Sequence, residues 1–299
     1  MKILFIGDPR NQDYQQDVLF HGLRSLFGAD VVDFEPLWFM YADEIARRGT
    51  DPADLYGRGF TLYGLLDGVD AIDRSDIQRR IRARDFDLVI YGGVRRSHTL
   101  LLDVFDAYGD KVVFVDGEDD THLNAAFLNR GLYFKRELTG PMPGVLPIGF
   151  GIPEEKILPV PPDKDRTIAF ITPADRSTYI YDTEAGYYGD YARSLFGTTM
   201  KKSGWDCLRH YEIMMNHCIP LFRDLPECPS LTMTHFPRFE VLTACNLLDS
   251  QGEEFFATRQ GEQVYARLLG RVMAELRAKM TTKAVALSVI DRAKQAFDL

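Results

Sequence analysis

Short apolar runs alternate with amphipathic stretches along the first half of the chain, and that alternation predicts its elements. KILFIG (2–7) is an apolar strand closed by Gly-Asp-Pro. Over 14–27, apolar side chains fall at 18, 19, 23, 26 and 27, which is helical spacing. ADVVDF (29–34) predicts a second strand, RSDIQRRIRAR (74–84) a polar helix, and DLVIYGG (87–93) a strand running into two glycines. TLLLDVFDAYG (99–109) reads as a helix. KVVFVDGEDD (111–120) reads as a strand ending in acid, and GLYFKREL (131–138) as a shorter strand. Uninterrupted apolar strands between helices predict a parallel sheet covered on both faces.

Seven prolines, at 141, 143, 147, 153, 159, 161 and 162, predict a stiff linker over 141–163. The pattern then restarts. RTIAFIT (166–172) predicts a strand followed by a polar loop, WDCLRHYEIMMNH (205–217) a helix, and CIPLF (218–222) a strand. Helices are expected over 239–249 and 262–279, and Thr281 or Thr282 can cap a last helix running through 298. The expected fold is α/β, with two Rossmann-like domains facing a cleft and C-terminal helices. The division falls at 1–155 and 156–299. In such sheets ligands bind at the C-terminal ends of the strands.

Charge narrows the partners. Among 299 residues, 44 acidic and 35 basic side chains leave a net charge of −9. An acidic surface repels phosphate backbones and anionic membranes. Arg79, Arg80, Arg82, Arg84, Arg95 and Arg96 form the one candidate basic groove, and a solvated helix face explains them as well. The four cysteines show no CxxC spacing and read as buried reduced thiols. MKILFIGDPR reads as a first strand rather than a signal peptide, and no run of about 18 apolar residues predicts a membrane span. A reducing cytoplasm is the expected location. IGDPRN is not GxGxxG, and P-loop, GxSxG and HExxH motifs are absent. Nicotinamide dehydrogenase, NTPase, serine acyl transfer and metal hydrolysis are therefore set aside.

The candidate chemistry concentrates in KKSGWDCLRHYEIMMNHCIPLF (201–222). Lys and Arg neutralise phosphate, and a carboxylate can accept from both hydroxyls of a ribose. On a helix, Arg209 and Glu212 (i, i+3) share a face. That spacing also fits a plain Arg209–Glu212 ion pair.

The run RHYEIMMNHCIPLF resembles the donor-site motif of GT-B-fold glycosyltransferases, a helix carrying a Glu followed by a strand that starts near a Pro; Glu212 and Pro220 match those positions. The usual small residue before the strand is His217, and Gly204 stands where many retaining members carry a partner Glu. DYQQDVLFHGLRSLFGADVVDF (13–34), LYGRGF (55–60), YFKREL (133–138) and 186–212 look like short glycosyltransferase-like proteins of microbes and viruses.

The resemblance implies a nucleoside-diphosphate sugar held by the C-terminal half. Glu212 would grip the ribose, and Arg209, His210, Lys201, Lys202 and Arg176 would serve the diphosphate and sugar. Trp205 borders the base or packs the helix. The acceptor and base are expected from the N-terminal half. In DGEDD the crowding of Asp116, Glu118, Asp119 and Asp120 suits a base, because like charges raise a pKa, and Asp119 is favoured. That cluster is also the one place for a divalent metal; otherwise no cofactor is required. Gly7, Asp8 and Gly93 would line the acceptor side. Lys135-Arg136-Glu137 is a charged patch that suits either a ligand or a salt-bridged strand. The expected reaction is hexosyl or pentosyl transfer to a saccharide or other small acceptor. The alternatives are transfer to modified bases of phage DNA and a non-catalytic, two-lobed binder of a small ligand.

Overall fold

The computed structural model describes residues 1–299. Strands β1 (Ile3–Ile6), β2 (Val31–Phe34), β3 (Leu88–Tyr91), β4 (Val112–Asp116), β5 (Leu132–Lys135) and β6 (Val145–Pro147) form one parallel sheet in the order β2-β1-β3-β4-β5-β6. Its centre is set where Ile3 pairs with both Val31 and Leu88. All four side chains of β1 are fully buried, each contributing roughly 1.5–3 kcal/mol of apolar transfer. That two-sided burial is why these strands read as continuous apolar runs.

Helix α1 (Tyr14–Phe27) has the predicted bounds, because Asp13 caps it by accepting from the Gln15 and Gln16 amides. Helices α2 (Ala42–Arg48), α3 (Ile77–Arg82) and α4 (Leu101–Tyr108) complete this part; α2 was not expected. β4 stops at Asp116, short of the expected 120, because the acidic residues beyond it leave the ladder to meet cations.

A second parallel sheet has the order β7-β8-β9: β7 (Arg166–Ile168), β8 (Ser194–Thr198) and β9 (Ile219–Leu221). Helix α5 (Glu184–Ala192) precedes β8, and α6 (Leu208–Met215) lies between β8 and β9. Both α5 and β8 fall where a polar loop was expected. Gly186 and Gly189 break the helical pattern in the sequence, and burial of Tyr191 and Phe196 restores it in space. Helices α7 (Arg238–Gln251), α8 (Arg259–Lys279) and α9 (Thr282–Phe297) finish the chain, with Thr281 capping α9.

The proline-rich stretch is not a bare linker. Its start is β6, with Tyr133 paired to Val145 and Pro147 on the sheet edge, where a missing N–H is tolerated. Beyond it Phe150, Ile152 and Ile157 are buried, and Ile152 bridges to Thr281. Helix α9 packs along α1, and one continuous apolar core contains residues of both sheets. The four thiols are unbonded, and no helix is long and apolar enough to cross a membrane.

Candidate functional site

Helix α6 begins after Cys207, in extended conformation, and ends where Asn216 donates to the Glu212 carbonyl (2.8 Å). His217 follows with φ +53, the left-handed position that favours a small residue and that histidine tolerates better than most. Its Nε2 bonds the Leu158 carbonyl at 2.8 Å. The helix thus turns abruptly into β9 and carries Arg209 and Glu212 on one face.

That face opens on a cavity of about 490 Å³. Tyr14, Tyr56, Phe60 and Phe150 line it from the first part of the chain, and Tyr179, Tyr181 and Tyr187 from the second. Glu212 is buried at its wall. Thr61 Oγ1 donates to Glu212 Oε1 (2.6 Å) and the Tyr187 hydroxyl donates to Oε2 (2.7 Å). Burial pushes the Glu212 carboxyl above the ordinary carboxylate range. Arg209 does not form the simple ion pair with Glu212. Its Nη2 donates to the Tyr179 hydroxyl (3.2 Å), while Nε and Nη1 are buried and bond nothing. A buried donor left unpaired costs about 1–3 kcal/mol, so Arg209 carries an unmet hydrogen-bonding demand in this structure.

The remaining predicted donor residues divide. Lys202 reaches the cavity mouth, its Nζ 3.5 Å from the Pro173 carbonyl and the Tyr179 hydroxyl. Lys201 lies over the Trp205 ring instead, and Arg176 is exposed on a short turn away from the cavity. His210 faces the core. Its Nδ1 meets Thr199 Oγ1 (2.8 Å), its Nε2 meets the Trp205 carbonyl (2.9 Å), and its ring stacks on Phe222. One helical position, about 100°, separates it from the face that carries Arg209 to the cavity.

The acidic cluster also divides, and its physics differs from the expectation. Each carboxylate has its own cation: Asp116 with Lys135 (2.9 Å), Glu118 with Arg96 (2.7 Å), Asp119 with Arg136, and Asp120 with Arg95 (2.6 Å). Like-charge crowding is therefore offset. The Arg96 fork holds the Glu118 carboxyl below its ordinary value, and Arg95 does the same for Asp120. Asp116 is fully buried and also accepts from the Tyr133 hydroxyl (2.6 Å). No three acidic, His or Cys side chains converge on a point where a metal could sit. Asp119 alone of the cluster lines the cavity, half exposed. Arg136 is buried and ties the first sheet to the turn before α6. It donates to Asp119, Glu137 (3.0 Å) and the Asp206 carbonyl (2.6 Å), and lies over Phe150.

Asp8 lines an adjoining polar hollow of about 570 Å³ with Arg10, Asn11, Gln12, Tyr56 and Arg96; its carboxylate is held by Arg10 (2.8 Å) and Asn11 (3.1 Å). Neither Gly7 nor Gly93 lines that hollow. A Cβ on Gly7 would meet Gln16 Oε1 at 2.7 Å, so that glycine serves packing. A larger hollow of about 690 Å³, between residues 161–167 and α8, holds none of the predicted site residues.

The chain is similar in structure to two α-glucosyltransferase complexes. One is in complex with UDP and a 13-mer DNA containing a central A:G mismatch; it is 11% identical, with 98% of this chain and 100% of that chain covered and a TM-score of 0.48. The other is in complex with UDP and a 13-mer DNA containing an HMU base, at 12% identity, 98% and 99% coverage and the same TM-score. No family model and no curated protein matches the chain.

Sequence reading missed Thr61, Tyr187 and Asp206; it left Arg136 open between a ligand contact and a salt-bridged strand, and the structure pairs it with Asp119 and Glu137. Thr61 carries no local signal, since its partner Glu212 is 151 positions away. Asp206 lines the cavity, its carboxylate held by the Phe150 amide (2.8 Å) and the Tyr211 hydroxyl (2.9 Å), and burial raises its pKa to about 6.

His210 gives a pH prediction. Burial depresses its pKa from 6.5 to about 3. Below pH 6.5 the unfolded chain takes up a proton that the native state refuses, so stability is lost as pH falls toward 3, by up to about 5 kcal/mol. Asp206 works the other way, because between pH 6 and 3.8 the native state holds the extra proton. Subtracting a His210→Gln series from wild type removes the Asp206 contribution. The difference in urea midpoint between the two proteins is expected to shrink steadily from pH 6.5 to 4. A constant difference would show that His210 is not held neutral.

Proposed function

We propose that the chain is a glycosyltransferase of GT-B-like architecture, moving a hexosyl or pentosyl group from a nucleoside-diphosphate sugar to an acceptor hydroxyl. One observation carries this reading: Arg209 presents two buried, unpaired donors beside the buried carboxylate of Glu212, on one helix face, at the wall of a cavity. A guanidinium fork suits diphosphate oxygens. The carboxylate already receives two hydroxyls, which is what a ribose diol would offer. In this reading residues 1–155 present the acceptor and 156–299 hold the donor.

The reaction then follows from charge. The acceptor hydroxyl gives its proton to the Asp119 carboxylate, which Arg136 orients at the cavity wall. The acceptor oxygen bonds the anomeric carbon as the bond from that carbon to the diphosphate oxygen breaks. The electron pair leaves with the diphosphate, and Arg209, with Lys202 at the mouth, stabilises that charge. With protein cations in that role the reaction needs no metal, and activity is expected to survive EDTA. A reducing cytoplasm suits the unpaired thiols.

A thermal-shift screen with UDP, GDP, ADP, TDP and CMP, with and without Mg²⁺, tests the donor site. One diphosphate is expected to stabilise wild type, by about 2.7 kcal/mol at a hundredfold excess over its Kd, and to leave Glu212→Ala unmoved. No shift with any nucleotide would defeat the donor reading. The acceptor class is decided by offering saccharides and duplex DNA with hydroxymethylated bases in parallel. In the DNA case phosphates would have to compete with existing ion pairs, since Arg79, Arg80, Arg82, Arg95 and Arg96 all face carboxylates.

A further inference from the structure

Glu212 is already occupied by the protein itself. It is buried, and each carboxylate oxygen receives a hydroxyl, one from Thr61 and one from Tyr187. A carboxylate has about four lone-pair sites, so a ligand diol can meet Glu212 either beside these hydroxyls or in place of one. Tyr187 is fixed within α5, packed against Tyr188 and Tyr191. Thr61 is held differently. It lies at φ +78, a left-handed conformation that is a genuine outlier for a β-branched residue. The preceding Gly57, Arg58 and Gly59 are also left-handed, at φ 60°, 60° and 71°. Gly57 and Gly59 adopt this shape freely, whereas Arg58 and Thr61 do not. Contacts to the far side of the cavity hold it: the Thr61 amide donates to Glu184 Oε1 (2.8 Å), and Arg58 pairs with Asp182 (2.8 Å). Strained backbone that persists at a ligand wall is a mark of a functional element.

We propose that Thr61 is a specificity-determining residue that acts as a built-in surrogate for a ligand hydroxyl. It occupies Glu212 in the empty site and yields to a vicinal diol, so that ligands unable to replace it are refused full engagement. The inference rests on the donor-site reading of Glu212. It differs from a positioning role in the sign of one measurement. A residue that merely orients Glu212 would, when removed, weaken binding; a surrogate would, when removed, strengthen it.

Thr61→Gly removes the hydroxyl and relaxes the backbone, because glycine adopts positive φ freely; Thr61→Ser keeps the hydroxyl. Calorimetric titration of wild type, Thr61→Gly, Thr61→Ser and Glu212→Ala uses UDP, GDP and ADP, with the 2′,3′-dideoxy form of whichever binds. Thr61→Gly is expected to bind the ribonucleotide about tenfold tighter, the scale of one hydrogen bond to a charged group. Thr61→Ser is expected to match wild type, and the dideoxy ligand, which cannot replace the hydroxyl, to bind Thr61→Gly and wild type alike. If a diphosphate binds wild type and is lost in Glu212→Ala, but Thr61→Gly binds it equally or more weakly, the surrogate is overturned and the donor site stands. An equal gain for the dideoxy ligand also overturns it, since the gain would not run through Glu212. If no diphosphate binds any variant, both readings fall.

Discussion

Arg209→Ala is expected to weaken nucleoside-diphosphate binding by about a hundredfold while making the empty protein more stable. Both halves follow from one fact. The Arg209 Nε and Nη1 groups are buried without acceptors, and only Nη2 finds a partner, the Tyr179 hydroxyl. Hydrogen bonds to charged groups are worth about 1.5–3 kcal/mol each, so losing the fork costs roughly two decades in Kd. In the empty protein the same two donors are a liability of about 1–3 kcal/mol, and removing them is expected to raise Tm by a few degrees. A functional residue that costs stability is a familiar trade. Denaturant titration of the unliganded protein, paired with calorimetry, checks both. A variant that loses stability and keeps its affinity would place Arg209 among the structural arginines and remove the chief support for the donor site.

The second large effect concerns α9. Gly22→Ala is expected to destabilise the protein by about 3 kcal/mol, at the upper end of overpacking costs. In an open helix the same change is favourable by roughly 1 kcal/mol, so the sign is informative. A Cβ on Gly22 would lie 2.0 Å from the Thr282 carbonyl oxygen and 2.5 Å from its carbon, and backbone cannot rotate aside as a side chain can. Next to it His21 Nδ1 meets Thr282 Oγ1 at 2.9 Å. The contact therefore fixes the last helix to the first. Gly270→Ala, in the exposed face of α8 with nothing near its Cβ, is the control and is expected to be neutral or stabilising. Equal stability of Gly22→Ala and wild type in urea would mean that α9 packs more loosely on α1 than it does here.

The sequence carried a good part of this. Buried apolar runs marked β1, β3 and β4, and the spacing of 18, 19, 23, 26 and 27, with Asp13 in front, set both ends of α1. The pairing of Arg209 with Glu212 on one face needed only the helical repeat. All of these are local properties: a period or a cap is written within a few residues of where it acts.

What the tertiary structure decided is which charges and hydroxyls meet. DGEDD reads as a knot of like charge, yet Lys135, Arg95, Arg96 and Arg136 come from other segments and take its members one by one. That leaves Asp119 alone at the cavity. Helix α5 and strand β8 were hidden by glycines and tyrosines whose role appears only when the cavity and core close around them. Thr61 reached Glu212 across 151 positions. Local chemistry fixes how a segment coils and which face is apolar. The partner of a buried polar group is chosen by whatever the packed chain brings within about 3 Å of it, and no window of the sequence contains that information.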